Sequence, residues 1–332
     1  MHANFYAGNP LDRVALRRDD AEYLDGLLHD AASLFIPVWR DQHLMQDEDG
    51  GLRVGMPSRE ALGHDVGVLA AHPWVLLGLM DRRAVFAVDL GGLEDPADLV
   101  PAAFGRFEPL RPLAPLLPAA EAAILAQARG LLHWRRNHVH CGRCGHVTVP
   151  EQGGYRLGCP NCGLQHFPRT DPVVIMLVHH RGRALLARGT RFPGRRLFSA
   201  LAGFIEPGES AEEAVAREVF EETGVRVGRI TYHSSQSWPY PNSLMLGFHA
   251  EAEDAARDGA PGSAPEGAQE GAREIPLTLD PNEIAEAYWL TPDALRHPGR
   301  LDIELPGPTA IAHSLVAAWL AMAVAPEAMT AG

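Results

Sequence analysis

The sequence predicts an α/β chain made of more than one folding unit, and three observations carry that expectation. Strand-length apolar runs are interleaved with helical patterns along 332 residues, enough for two domains and a small module. The four cysteines fall into two C-x2-C pairs near the middle of the chain, Cys141/Cys144 and Cys159/Cys162. Beyond them, Gly203 to Val225 reads as a glycine turn, a short helix crowded with carboxylates, and a glycine stop.

Composition narrows the class. An apolar fraction of 46% suits well-buried cores, and the net charge of −13 argues against a protein that grips nucleic acid mainly by charge. The first twenty residues lack the apolar core of a secretory signal. No apolar run is long enough to span a bilayer, and the closest, Val68 to Met80, is broken by His72, Pro73 and Gly78. The expected location is cytoplasmic.

Residues 1–135 form the first expected domain. Val14 to Asp20 suggests a strand and Leu24 to Asp30 a helix. Leu34 to Arg40, Gly67 to Ala71, Trp74 to Met80 and Ala84 to Leu90 read as strands. Pro101 to Pro118 is proline-rich and expected to be irregular, and Glu121 to Arg135 has the pattern of an amphipathic helix. No catalytic constellation stands out here. His64, Asp65 and His72 read as loop polar residues.

Residues 136–168 are different in kind. Each cysteine pair is followed directly by glycine, Gly145 or Gly163, as in a metal knuckle. Gly145 to Gly158 separates the pairs, one residue short of the usual tetracysteine spacing. Four thiolates on two tight turns match tetrahedral Zn²⁺ with no open position, a structural site. Two disulfides or four free thiols are the alternatives. A reducing compartment disfavours the first and the knuckle pairing the second.

Residues 169–325 form the third region. Asp171 to Val178 is a continuous apolar run that suits a buried strand, and Arg183 to Arg188 a second. The loop to Arg196 is rich in arginine, at 188, 191, 195 and 196, and suits either diphosphate binding or simple solvation. In the carboxylate-rich stretch, Ser210 and Glu213 form a capping box, so the helix is expected to begin at Ala211. Gly224 is placed for a left-handed stop. Glu218, Glu221 and Glu222 lie three and four apart and gather on one side. Like charges at that spacing repel unless a cation sits among them, and oxygen-only ligands favour Mg²⁺ or Mn²⁺. Further on, Val225 to His233, Leu244 to Glu251 and Ile275 to Leu279 are expected strands, and Thr309 to Val324 a final helix. Ala252 to Ala272 is low in complexity and expected to be a mobile insertion. Between two of these strands, Ser235 to Ser243 is stiffened by Pro239 and Pro241. It carries Trp238 and Tyr240, which suit either base stacking or packing.

Gly203, Glu209, Arg217, Glu218, Val219, Glu221, Glu222, Gly224 and Val225 fill every fixed position of the Nudix box, G-x5-E-x7-R-E-U-x-E-E-x-G-U. With the cysteine knuckles before it and the Ser235 to Ser243 loop after it, the chain resembles the NADH pyrophosphatase (NudC-type) branch of the Nudix hydrolases. That branch carries S-Q-P-W-P-F-P-x-S, where this chain has Ser237 for the first proline and Tyr240 for phenylalanine. The resemblance implies a catalytic Nudix α/β/α sandwich with a mixed sheet, a degenerate Nudix-like N-terminal domain, a zinc ribbon and a homodimer. It also implies Mg²⁺- or Mn²⁺-dependent hydrolysis of NAD(H) to AMP and NMN(H). By position, Glu218, Glu221, Glu222 and Glu283 would hold the catalytic metal. Glu222 would activate water, Arg217 would orient the glutamates and Glu209 would brace the turn. Phe204, Phe167 (where the family has tyrosine), Gln236, Trp238, Tyr240 and Ala312 would contact the substrate. Alternatives are a broader pyrophosphatase acting on ADP-ribose or dinucleoside polyphosphates, and removal of NAD caps from RNA 5′ ends. From a different class, the chain could be a zinc-ribbon nucleic-acid-binding regulator with an inactive Nudix fold.

Overall fold

The computed structural model describes residues 4–63, 68, 71–190, 194–254 and 275–323. Most of the strand expected at 67–71, all but Ala252–Asp254 of the insertion expected at 252–272, and His64, Asp65 and Arg191 lie outside the described residues; Ala252 instead ends a strand. The chain divides into two compact units. The first is Met1–Asp171 with Ser237–Ser243, and the second is Pro172–Gln236 with Leu244–Gly332.

The first unit holds a six-stranded sheet. β1 (Leu34–Trp39), β2 (Gln42–Glu48), β3 (Gly51–Val54), β4 (Trp74–Met80) and β5 (Arg83–Asp89) run in the order β3-β2-β1-β5-β4, and β6 (Arg106–Pro109) pairs with β2. β1 and β5 are parallel and the other pairs antiparallel, so the sheet is mixed. Helix α1 (Ala21–His29) starts on Asp20, whose side chain accepts from Tyr23 N–H. Helix α2 (Ala119–Asn137) buries Ile124, Leu125, Leu131 and Leu132 in a core shared with Ile36, Val75 and Val85. Two expectations fail here. Val14 to Asp20 is not a strand, because Val14 turns left-handed at φ 42° and leads into a 3-10 turn, Ala15–Arg17. The proline-rich stretch also contains β6, since its backbone groups find β2, with Leu44 opposite Phe107 and Met45 opposite Arg106.

The cysteine segment belongs to this first unit. β7 (Val149–Glu151), β8 (Arg156–Gly158) and β9 (Gln165–His166) form a small antiparallel sheet. Its β7–β8 turn lies against β4. A Cβ on Gly154, which sits at φ +94°, would come 2.5 Å from Val75 Cγ1, so only glycine permits this approach.

The second unit holds the other six-stranded sheet. β10 (Asp171–His180), β11 (Arg183–Gly189), β13 (Val227–Trp238), β14 (Ser243–Ala252) and β15 (Ile284–Leu290) run in the order β13-β14-β10-β11-β15, and β12 (Leu201–Phe204) pairs with β10. Residues of β10 alternate between two apolar clusters. Val174, Met176 and Val178 pack with Ala214, Val215 and Val219 of helix α3 (Ala211–Thr223). Ile175 and Leu177 pack with Leu315, Val316 and Trp319 of helix α4 (Ile311–Ala323). This is an α/β/α sandwich. The strand expected at 275–279 does not form. That stretch is spent on the end of α3, where Thr278 N–H donates to Thr223 C=O (2.8 Å) and Asp280 N–H to Glu222 C=O (3.1 Å).

Candidate active site

Helix α3 starts where its sequence dictates. Ser210 accepts from Glu213 N–H, and the Glu213 carboxylate accepts from Ser210 N–H (2.8 Å), which closes the capping box. A cap of this kind is worth about 1 kcal/mol. At the other end Gly224 takes the left-handed stop, φ 72°. Ala214, Val215 and Val219 hold one face in the core, so Glu218 and Glu222 are drawn below the surface while Glu221 stays outside.

Arg217 organises the turn before the helix. Its Nε and Nη2 donate to the two oxygens of Glu209 (2.6 and 2.9 Å), and Nη2 also to Phe204 C=O (2.9 Å). Its Nη1 reaches Glu218 (2.8 Å) and Glu221 (2.9 Å). The Arg217 bond, helped by Glu206 N–H, holds the Glu209 carboxyl down at about 2. Glu209 therefore braces the turn as an anion. Gly203 makes room for this arrangement, since a Cβ there would sit 1.8 Å from Glu218 Cδ.

Glu218, Glu222 and Glu283 each bring a carboxylate oxygen within 4.8 Å of the others. Glu283 comes from a turn built by Asp280, whose side chain accepts from Asn282 N–H (2.9 Å) and whose C=O accepts from Glu283 N–H (3.2 Å). Burial, then the charges of Glu218, Glu283, Asp280 and Glu221, push the Glu222 carboxyl up to about 8. Burial also raises Glu218, against the pull of Arg217. Glu222 Oε2 is buried with no hydrogen-bond partner. A buried oxygen without a donor, among like charges, is relieved either by keeping its proton or by a hard cation. Asp280 is a contributor that sequence reading missed. The Asp-Pro-Asn triplet is a turn signal, but nothing local ties it to Glu222.

The other expected substrate contacts fall in different places. Phe204 is 57% exposed at the end of β12, in the same unit as the carboxylates. Phe167, 60% exposed, follows β9 in the first unit. Gln236 is buried and occupied at the start of α4, where it accepts from Ile311 N–H (2.8 Å) and donates to Thr309 C=O (3.0 Å). Ala312 is buried in the first turn of that helix. Trp238 and Tyr240 pack with the first unit. Tyr240 Oη meets Tyr6 Oη at 2.6 Å, and Arg129 Nε donates to Pro239 C=O (2.7 Å).

The cysteines form a second cluster, all four sulfurs within 4.8 Å and none in a disulfide. The two knuckles repeat one pattern. Cys141 and Cys159 N–H donate to the C=O of His146 and Leu164, and Gly145 and Gly163 N–H return to Cys141 and Cys159 C=O. His146 N–H, with Asn161, lowers Cys144 to about 5. Leu164 N–H pulls Cys162 down, but burial and the other sulfurs outweigh it and carry it to about 11. Four sulfurs this close cannot all ionise without a cation, and Zn²⁺ fits their number and type.

Residues 168–305 match the family model of the NUDIX domain, residues 32–134 that of the NADH pyrophosphatase-like rudimentary NUDIX domain, and residues 136–167 that of the NADH pyrophosphatase zinc ribbon domain. An NAD-capped RNA hydrolase NudC of Pseudomonas aeruginosa is 33% identical over 281 residues, which cover 84% of this chain and 86% of that one. The chain belongs to the NudC-type Nudix hydrolases. A second NudC, from Stutzerimonas stutzeri, is 40% identical over 225 residues, covering 64% of this chain and 79% of that protein. Nudix hydrolase 19, chloroplastic, of Arabidopsis thaliana is 41% identical over 228 residues, 60% of this chain. The chain spans about half the length of that plant relative, 52%. This NudC-type chain is thus a hydrolase with a rudimentary first Nudix domain and a zinc ribbon. Among the described residues no helix is long and apolar enough to cross a membrane.

Proposed function

We propose that this chain hydrolyses the diphosphate bond of NAD(H) to AMP and NMN(H), and that it needs Mg²⁺ or Mn²⁺ to do so. The observation that carries the reading is the unpartnered Glu222 Oε2 among Glu218 and Glu283. Glu218, Glu222 and Glu283 would hold the divalent ion, with Glu221 at the exposed edge. The ion would neutralise the diphosphate and lower the pKa of water. Arg217 fixes Glu218 in place and keeps Glu209 ionised under the turn. Glu222 would also take a proton from an attacking water. Phe204, exposed beside this cluster, would offer its ring to the nicotinamide end. Phe167, Gln236, Trp238, Tyr240 and Ala312 remain proposed substrate contacts, Gln236 and Ala312 through the start of α4. We read the chain as three parts, 1–135, 136–168 and 169–325, acting in the cytoplasm as a homodimer.

A second reading, removal of NAD caps from RNA, is favoured by the names of the two NudC relatives. The test is a hydrolysis panel of NADH, NAD⁺, ADP-ribose, a dinucleoside polyphosphate and NAD-capped RNA, each with Mg²⁺ and with Mn²⁺, products identified by mass. Release of AMP and NMN(H) from free dinucleotide as the fastest reaction is expected. Faster NMN release from capped RNA would move the assignment to decapping, and no metal-dependent hydrolysis of any of them would overturn it.

A further inference from the structure

A cleft with an arginine-bearing lining lies within the first unit, away from the carboxylate and cysteine clusters. It has a volume of about 570 Å³, and its lining includes Arg18, Leu24, His72, Trp74, Arg135 and Gly154. This is the size range of small-molecule sites. The floor is fixed by the close approach of Gly154 to Val75 and Trp74.

The charges in this cleft are unevenly matched. Of its three arginines, Arg156 is neutralised by Glu151 (2.6 Å) and Asp19 (3.5 Å), and Asp19 also accepts from Gln152. Both acids of the cleft are thereby used. Arg135 donates to Trp74 C=O, and the nearby Asp89 carboxylate is paired with Arg136 (3.4 Å). Arg18 donates to Arg13 C=O (2.7 and 3.0 Å) and lies 3.5 Å over the Tyr155 ring. Neither has a carboxylate within ion-pair distance among the described residues. Both guanidinium groups are pulled below their ordinary value, in each case mainly by burial. The chain has 42 acidic against 29 basic residues, yet among the described residues none of its carboxylates forms an ion pair with these two. Partly buried guanidinium groups without an anion are a receptor for one, and their planar forks match phosphate oxygens.

We infer that this cleft binds a terminal phosphate group, free or as a monoester, between Arg18 and Arg135. The Trp74 and Leu24 side would accept whatever apolar or aromatic body an ester carries. The proposal stands apart from the reaction in the second unit.

The test is isothermal titration of the full-length protein with inorganic phosphate and with AMP, repeated on Arg18→Gln and Arg135→Gln. Phosphate is expected to bind the wild type, and each substitution to weaken it at least about tenfold, the loss of one charge-assisted contact. The hydrolysis rate of Arg18→Gln should match wild type. Tighter binding of AMP than of phosphate, by a component that Arg18→Gln abolishes, would identify the ester as the source; equal affinities would identify free phosphate. Arg135 also supports the Trp74 carbonyl, so Arg18→Gln, which frees the exposed Arg13 carbonyl and uncovers one face of the Tyr155 ring, is the deciding variant. Phosphate affinity unchanged within twofold in Arg18→Gln overturns the proposal. So does Arg18-dependent binding of a 5′-hydroxyl oligonucleotide, which has only phosphodiesters, without binding of phosphate or AMP.

Discussion

Glu121 and Glu222 are equally buried, each 6% exposed, and each lies on a helix packed against a six-stranded sheet. Their surroundings are opposite. Glu121, on α2, accepts from Arg53 Nε (2.7 Å) and Val54 N–H (2.8 Å) and so ties α2 to β3. Glu222, on α3, has an oxygen with no donor and two other carboxylates beside it. Burial alone therefore does not mark a working carboxylate. The mark is a buried charge that the fold has declined to satisfy.

This contrast can be broken by experiment. Glu222→Gln should lower turnover by about two orders of magnitude or more, the usual share of a general base. At neutral pH it should leave the metal-free fold as stable as before, because the buried carboxyl it replaces already keeps its proton there. Glu121→Gln should do the reverse and destabilise the fold by about 1–3 kcal/mol with turnover per folded molecule unchanged. Denaturant melts and steady-state rates on both variants decide; equal destabilisation by the two would end the distinction. The cysteine cluster extends the same logic to sulfur. Cys144→Ser should abolish stoichiometric zinc and open residues 138–168 to protease, as seen by metal analysis and limited proteolysis. Full zinc content in that variant would mean that three sulfurs suffice.

Gly203→Ala presses a methyl group against the Glu218 carboxylate. Weakening of divalent-metal affinity by about tenfold is expected, the scale of disturbing a ligand's support. Titration of Mn²⁺ followed by its paramagnetic signal would measure it, and unchanged affinity would show that Glu218 can shift freely. The smallest effect concerns pH. Folding raises the Glu222 carboxyl from 4.5 to about 8. Over that window the metal-free native state keeps a proton that the unfolded chain has lost, so its stability falls as pH rises. A bound cation relieves that loss. The gain in melting temperature on adding Mg²⁺ should therefore be larger near pH 8 than near pH 5.5, and a gain independent of pH would count against Glu222 as a ligand.

What could be read from the sequence was whatever local spacing decides. The bounds of α3, its capping box, the gathering of Glu218 and Glu222, and the two knuckles all follow from residues a turn apart. Glu283 came only through family resemblance, because it reaches the cluster from a turn anchored on the far end of α3. Asp280 escaped for the same reason. Ile275 to Leu279 has strand composition, yet its backbone groups are claimed by the helix terminus and no ladder forms. Arg106–Pro109 looked irregular because two prolines bracket a region whose pairing partner, β2, is distant in sequence. Trp238 and Tyr240 left stacking and packing both open, and it is the Tyr6 hydroxyl, at the opposite end of the chain, that engages Tyr240.

The seven residues Ser237–Ser243 are the part of the second half that is counted with the first unit. The backbone therefore passes between the units at three points rather than one. A gene fragment beginning at Pro172 would carry Trp238 and Tyr240 without Tyr6 or Arg129 to receive them. The second unit is therefore not a cassette that recombination can lift out cleanly.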